Sequence, residues 1–150
     1  MTKRAAIYAR YVRGNQYPDC LIAQIATCLK LAVHEGYVVA YENIFIDSFF
    51  HEKIYDYEGL LHILKSARSS SFDILLVDEI ARLGPDKKAA SAMLTKLRST
   101  GVRIKPASEI LNPKELESFY WVLCGYQEVE DSYTMQVLNN LMRISRMFNI

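Results

Sequence analysis

Residues 72–77 read Phe-Asp-Ile-Leu-Leu-Val, a run in which the last four positions are apolar without the alternation of a half-exposed strand. Serines 69–71 bound it upstream, and a short continuous run of this kind is what a strand buried on both faces requires. Such strands belong to parallel sheets with helices on either side. The flanks agree. Upstream, residues 58–68 carry Leu60, Leu61, Ile63 and Leu64 on a helical period. Downstream, residues 86–98 read as a helix closed by Gly101, and residues 102–105 supply a further strand before Pro106.

Working back to the N-terminus, residues 5–8 form a β-rich run and residues 13–19 a polar, glycine-bearing loop. Ile22, Ile25, Leu29 and Ala32/Val33 then recur at helical spacing, and Gly36 stands where a helix C-terminus calls for a left-handed residue. Residues 37–46, rich in β-branched and aromatic side chains, predict a second strand, and residues 47–56 an irregular loop. The alternation predicts an α/β fold with a central, mostly parallel sheet flanked by helices and right-handed crossovers.

Length and charge narrow the function. At 150 residues, with 51% hydrophobic and 23% charged side chains, the chain fits one ordinary domain. Eighteen Lys and Arg against 17 Asp and Glu leave +1, which argues against a stand-alone polyanion binder. No apolar run reaches the roughly 18 residues of a membrane span, and the first ten residues lack the apolar core of a secretory signal. A soluble, cytoplasmic protein with no membrane contact is expected. Cys20, Cys28 and Cys124 form no paired set and predict free thiols in a reducing compartment. His34, His51 and His62 show no ligand spacing with them, so neither a metal nor a cofactor is expected.

From Asn112 the pattern changes. Asn112 can N-cap, Pro113 suits the first helical position, and Glu115 falls where a capping-box acid reaches back. Apolar positions including Tyr126, Tyr133, Val137, Leu138, Leu141 and Met142 then continue a helix for about 35 residues, or roughly 50 Å, longer than a domain of this size is wide. A helix of that length calls for a partner chain, so these six residues are the expected interface of a homodimer or higher oligomer. Two helices folded back near Asp131 and Ser132 are the alternative. The expected organisation is a core over residues 1–111 and a long helix over 112–150.

Several pieces carry a resemblance when taken together. Tyr8-Ala9-Arg10-Tyr11-Val12 ends the first strand, Gln24 lies on the first helix, and Asp47 closes the second strand. Asp56-Tyr57-Glu58-Gly59-Leu60 opens the next helix, Ile80-Ala81-Arg82-Leu83 follows the third strand, and Glu128-Val129-Glu130 lies in the long helix. In order and spacing, over essentially the whole chain, they resemble the catalytic domain of the serine recombinases, the resolvase/invertase family. The resemblance implies a small α/β domain with a long dimerising helix, whose members exchange DNA strands through a serine that attacks a phosphodiester. Charge accumulates on the phosphate oxygens during that attack, and fixed arginines stabilise it. By resemblance Arg10 and Arg82 stand at the positions of two such arginines, with Gln24, Asp47 and Glu130 in or beside the site. The alternative reading of Arg10 and Arg82 is that they are solvated or salt-bridged surface groups.

The departures from the family pattern are specific. Where the motif reads Tyr-Ala/Ser-Arg-Val-Ser, the fifth position here is Val12, which has no hydroxyl. Where it reads Asp-Arg-Leu-x-Arg, Ala81 and Pro85 replace the acid and the second arginine. The arginine of Asp-Arg-Pro-Gly-Leu has become Tyr57, and a Glu-Arg pair has become Glu130-Asp131. Each lost contact to a developing oxyanion is commonly worth roughly 3 kcal/mol. Tyr11 should point away from the side shared by Arg10 and Val12, and Cys20 and Ser48 are better suited to packing and turn roles.

The chain is therefore expected to be a catalytically inactive serine-recombinase-like protein, acting as an oligomerising or regulatory partner in DNA recombination or mobile-element biology. An active serine recombinase is a second possible partner. Two alternatives stay open: a recombinase with a relocated nucleophile, and a phosphate- or nucleotide-sensing α/β domain. Since the chain stops at Ile150, no C-terminal DNA-binding domain is expected. Arg10, Arg13 and Arg82 are the candidate phosphate contacts, and with Lys3, Arg4, Arg143 and Arg146 they allow weak, salt-sensitive, non-specific DNA association. The acidic balance of residues 115–131 opposes it.

Overall fold

Apolar residues recur every third or fourth position along Leu21–Glu35, and residues 5–9 of the strand before it are all buried. In the computed structural model, which describes residues 3–12, 21–49 and 58–111, these patterns become four strands and three α-helices. In chain order they are β1 (Arg4–Val12), α1 (Leu21–Glu35), β2 (Val38–Phe49), α2 (Glu58–Arg68), β3 (Ile74–Val77), α3 (Lys87–Ser99) and β4 (Arg103–Pro106). Short 3₁₀ turns at Ile80–Leu83 and Ala107–Glu109 follow β3 and β4.

The sheet order is β2-β1-β3-β4, and all three strand pairs are parallel. Side-chain alternation divides the core in two. Ala5, Ile7 and Ala9 of β1, with Ile74 and Leu76 of β3, pack under Ile25, Cys28, Leu29 and Ala32 of α1. Ala6 and Tyr8, with Leu75 and Val77, face Leu60 and Ile63 of α2 and Ala90 and Leu97 of α3. All four residues of β3 are fully buried, as the continuous apolar run requires, and each such Leu, Ile or Val contributes about 1.5–3 kcal/mol.

Helix ends follow local chemistry. Gly36, at φ 76°, closes α1 with both bonds of a Schellman turn: its N–H reaches Val33 O, and the N–H of Tyr37 reaches Ala32 O. Asp86 is the N-cap of α3 rather than its first residue, its carboxylate accepting from the Ala89 N–H at 2.8 Å. The largest boundary changes are in the strands. β1 extends to Val12, and β2 runs through Asp47 and Ser48 to Phe49, where the sequence predicted a loop from residue 47. The reason is pairing: Arg10, Tyr11 and Val12 are matched in register by Asp47, Ser48 and Phe49, and hydrogen bonding to β1 overrides weak local propensity. β2 also carries a register shift opposite Ala6, its pairing stepping from Val39 to Ile44.

This topology fixes where a site belongs. The chain leaves β1 across one face to β2, then returns across the other face to β3 on the far side of β1. The crossovers diverge between β1 and β3, and in open α/β sheets ligands bind at the carboxyl ends of the strands at such a switch point.

Candidate functional site

Beyond Ile7, β1 has no β3 partner, which leaves the Arg10 backbone in need of one. Gln24 supplies it. From a fully buried place on α1, its Oε1 accepts the Arg10 N–H at 2.8 Å and its Nε2 donates to Arg10 O at 2.7 Å. The side-chain amide thus pairs with the main chain as another peptide would, and it fixes the end of β1 against α1.

On the opposite side of β1, Asp47 performs a related task. Its buried carboxylate accepts the Tyr8 hydroxyl at 2.7 Å and the N–H groups of Gly59 and Leu60 at 2.7 and 3.3 Å. It therefore satisfies two N–H groups of the first turn of α2 and suits the positive end of the helix dipole. The approach is close enough to demand glycine: a Cβ on Gly59 would lie 2.9–3.0 Å from the carboxylate atoms. One side chain joins β1, β2 and α2.

Between the ends of β1 and β3 lies a cleft of about 600 Å³, lined by Arg10, by residues 79–82, and by Gly84–Lys87, Ala90 and Ser91 at the start of α3. Arg82 does not project freely into it. Its side chain is 4% exposed, with Nε donating to Asp78 Oδ1 at 2.8 Å and Nη2 to Oδ2 at 2.9 Å. Glu79 Oε1 stands 3.5 Å from Nη2. This is a buried two-pronged ion pair, where the resemblance implied an arginine directed at phosphate. Asp78, which closes the pair, is absent from the motifs read in the sequence. Its i, i+4 spacing to Arg82 was the available signal.

Cys28 packs beneath this region as a free, fully buried thiol. Burial pushes its pKa well above the ordinary value; the Asp78 carboxylate adds in the same direction and the Arg82 guanidinium opposes. The unfolded thiol ionises near pH 8.5 while the folded one keeps its proton, so above that pH the unfolded state holds fewer protons and stability falls. The expected slope is up to about 1.4 kcal/mol per pH unit. Cys28→Ala should remove that slope, as read from urea midpoints of both proteins between pH 8 and 10. Among the described residues, no group of three His, Cys, Asp or Glu side chains is placed to hold a metal ion, and no helix is long and apolar enough to cross a membrane.

Residues 5–133 match the family described as Resolvase, N terminal domain. The chain belongs to the resolvase family. Its fold is shared with a resolvase family site-specific recombinase from Streptococcus pneumoniae, at TM-score 0.61 and 16% identity over 97% of this chain and 99% of that one. The N-terminal catalytic domain of TP901-1 integrase superposes at TM-score 0.57 and 19% identity, over 84% of this chain and 95% of that one. A signal recognition particle protein of Helicobacter pylori (strain ATCC 700392 / 26695) is 30% identical over 133 residues, 89% of this chain. The chain spans 27% of that protein's length.

Within this resolvase-family domain, the tertiary structure brings Arg10, Gln24, Asp47 and Arg82 to the carboxyl ends of β1 and β3, with Val12 as the last residue of β1. Arg10 and Arg82 share the cleft, whereas Gln24 and Asp47 hold backbone on either side of it. Arg13, Cys20, Cys124, Glu130, the helix predicted over 112–150 and the interface residues Tyr126, Tyr133, Val137, Leu138, Leu141 and Met142 lie outside the described residues.

Proposed function

We propose that this resolvase-family domain does not cleave DNA and acts instead as an oligomerising or regulatory partner in DNA recombination or the biology of a mobile element. The observation that carries the reading is Val12, a side chain with no hydroxyl and no proton to give up, at the end of β1 where the family motif carries its serine. The cleft supports it. Ala81 and Pro85, which stand for an acid and a cation of the motif, line the cavity with apolar atoms, and Arg82 is held by Asp78. Nucleophile and charge stabilisation are reduced together, and each contact to a developing oxyanion is worth roughly 3 kcal/mol.

A domain kept without its chemistry is kept for its surfaces. The apolar residues of 126–142 are the proposed contact, either with a second copy or with an active recombinase. DNA contact through Arg10 and Arg13 would be weak and salt-sensitive.

Incubation with supercoiled plasmid, followed by denaturing electrophoresis, should show neither relaxation nor a protein–DNA adduct. Val12→Ser alone should not restore either, because the hydroxyl would still lack its acid and second arginine. A phospho-adduct mapped by mass spectrometry to any residue of the wild-type chain overturns the proposal. Affinity capture from the native cell, with and without nuclease, then separates a protein partner from shared DNA.

A further inference from the structure

We propose that Asp78 determines what Arg82 can hold in the cleft between β1 and β3: its carboxylate takes the place of a phosphate group on Arg82, which therefore does not take up small phosphate anions. This goes beyond the absence of cleavage, since it concerns non-covalent binding, and the two can fail separately.

Three features of an anion site are present. The cleft lies at the topological switch point, faces the N-terminal end of the thirteen-residue α3, and is lined by Arg10, Arg82 and Lys87. A guanidinium presents two parallel N–H groups that fit a carboxylate and a phosphate equally well. Of the five N–H groups of Arg82, the Nε–Nη2 pair is already used, meeting the two Asp78 oxygens at 2.8 and 2.9 Å. The competition is unequal. Asp78 is 4% exposed, follows β3 directly, and is held in place by the Glu79 N–H on Oδ1 at 2.9 Å and by the Ser108 N–H on its own carbonyl at 2.9 Å. A phosphate from solution would have to displace a pre-placed carboxylate and leave it buried beside a second anion.

The charges around the cavity point the same way. The three lining cations, Arg10, Arg82 and Lys87, face two lining acids, Glu79 and Asp86, with Asp78 on Arg82 as a third, and Asp86 already caps α3 through the Ala89 N–H. Arg10 and Arg82 both carry a two-pronged guanidinium; the one on Arg82 is the buried one, and Asp78 removes it from service.

The test follows the Arg82 side-chain Nε–H by NMR, assigned from its loss in Arg82→Lys, while inorganic phosphate is added at constant ionic strength. In the wild-type domain the Arg82 signal should not move in a saturable way. In Asp78→Asn, phosphate should bind at least tenfold more tightly, with a saturable shift at Arg82 and a phosphate-dependent rise in Tm. Saturable phosphate binding at Arg82 in the wild type, or a folded Asp78→Asn domain that binds phosphate no better than wild type, overturns the proposal. If Asp78→Asn folds only when phosphate is present, that rescue supports it. If it folds under neither condition, the wild-type titration decides.

Discussion

Replacing Asp47 with alanine is expected to lower stability by about 3–5 kcal/mol, because three buried donors lose their acceptor at once. The Tyr8 hydroxyl and the Gly59 and Leu60 N–H groups all converge on this carboxylate. Each unsatisfied buried group costs about 1–3 kcal/mol, and water entering the space left by the side chain offsets part of that sum. Against a total of about 5–15 kcal/mol for an ordinary domain, the loss is a large fraction. Tyr8→Phe, which removes only one partner, should cost about 1.5–3 kcal/mol, so the two variants separate the hydroxyl from the helix terminus. Urea denaturation reads both. A loss below 1 kcal/mol for Asp47→Ala would show that α2 is held by its apolar face and not by this carboxylate.

The second large effect concerns Asp78 and Arg82. Asp78→Leu alone, or Arg82→Met alone, should destabilise the domain by about 3–5 kcal/mol, since each leaves an uncompensated charge at a site 4% exposed. The double variant should come close to wild type, because removing both charges also removes both desolvation costs. A coupling of about 3 kcal/mol or more between the two changes is therefore expected from the four urea midpoints. Glu79 will not rescue Asp78→Leu appreciably: its side chain is 48% exposed and its oxygen stands 3.5 Å from Nη2, the geometry of a surface pair worth about 0–1 kcal/mol. Additive single effects would mean that each residue is held by other neighbours.

Both predictions bear on function. In the proposed reading the carboxyl ends of β1 and β3 are occupied with holding the domain together. Asp47 fastens α2 to the first two strands, Gln24 fastens the end of β1 to α1, and Asp78 satisfies Arg82. Arg82, which the resemblance implies would face a reacting phosphate, is here partnered within the fold, consistent with a domain that keeps its shape and lacks its nucleophile.

How much of this was legible in advance depends on how far the controlling interaction reaches along the chain. The continuous run Ile74–Val77, the helical period of Glu58–Arg68 and the glycine after Glu35 act over a few residues, and each produced the element expected of it. The end of β2 did not, because Asp47, Ser48 and Phe49 owe their strand conformation to β1, more than thirty residues away. The site divides in the same manner. Arg10, Gln24, Asp47 and Arg82 could be named from motif positions, but their partners could not, apart from the i, i+4 spacing that hints at Asp78. Nothing near Gln24 in sequence says that its amide meets the Arg10 backbone, and nothing near Asp47 says that Gly59 must lack a side chain.

The sequence by itself determined the fold class, the order of strands and helices along the chain, and the absence of a hydroxyl at residue 12, since these follow from side-chain type and short-range periodicity. Only the tertiary structure decided the strand order, the site between β1 and β3, and the pairing of Arg82 with Asp78. A charged side chain taken out of water must find its counter-charge among the groups that folding brings near, and that neighbourhood exists only once the sheet and its covering helices have assembled.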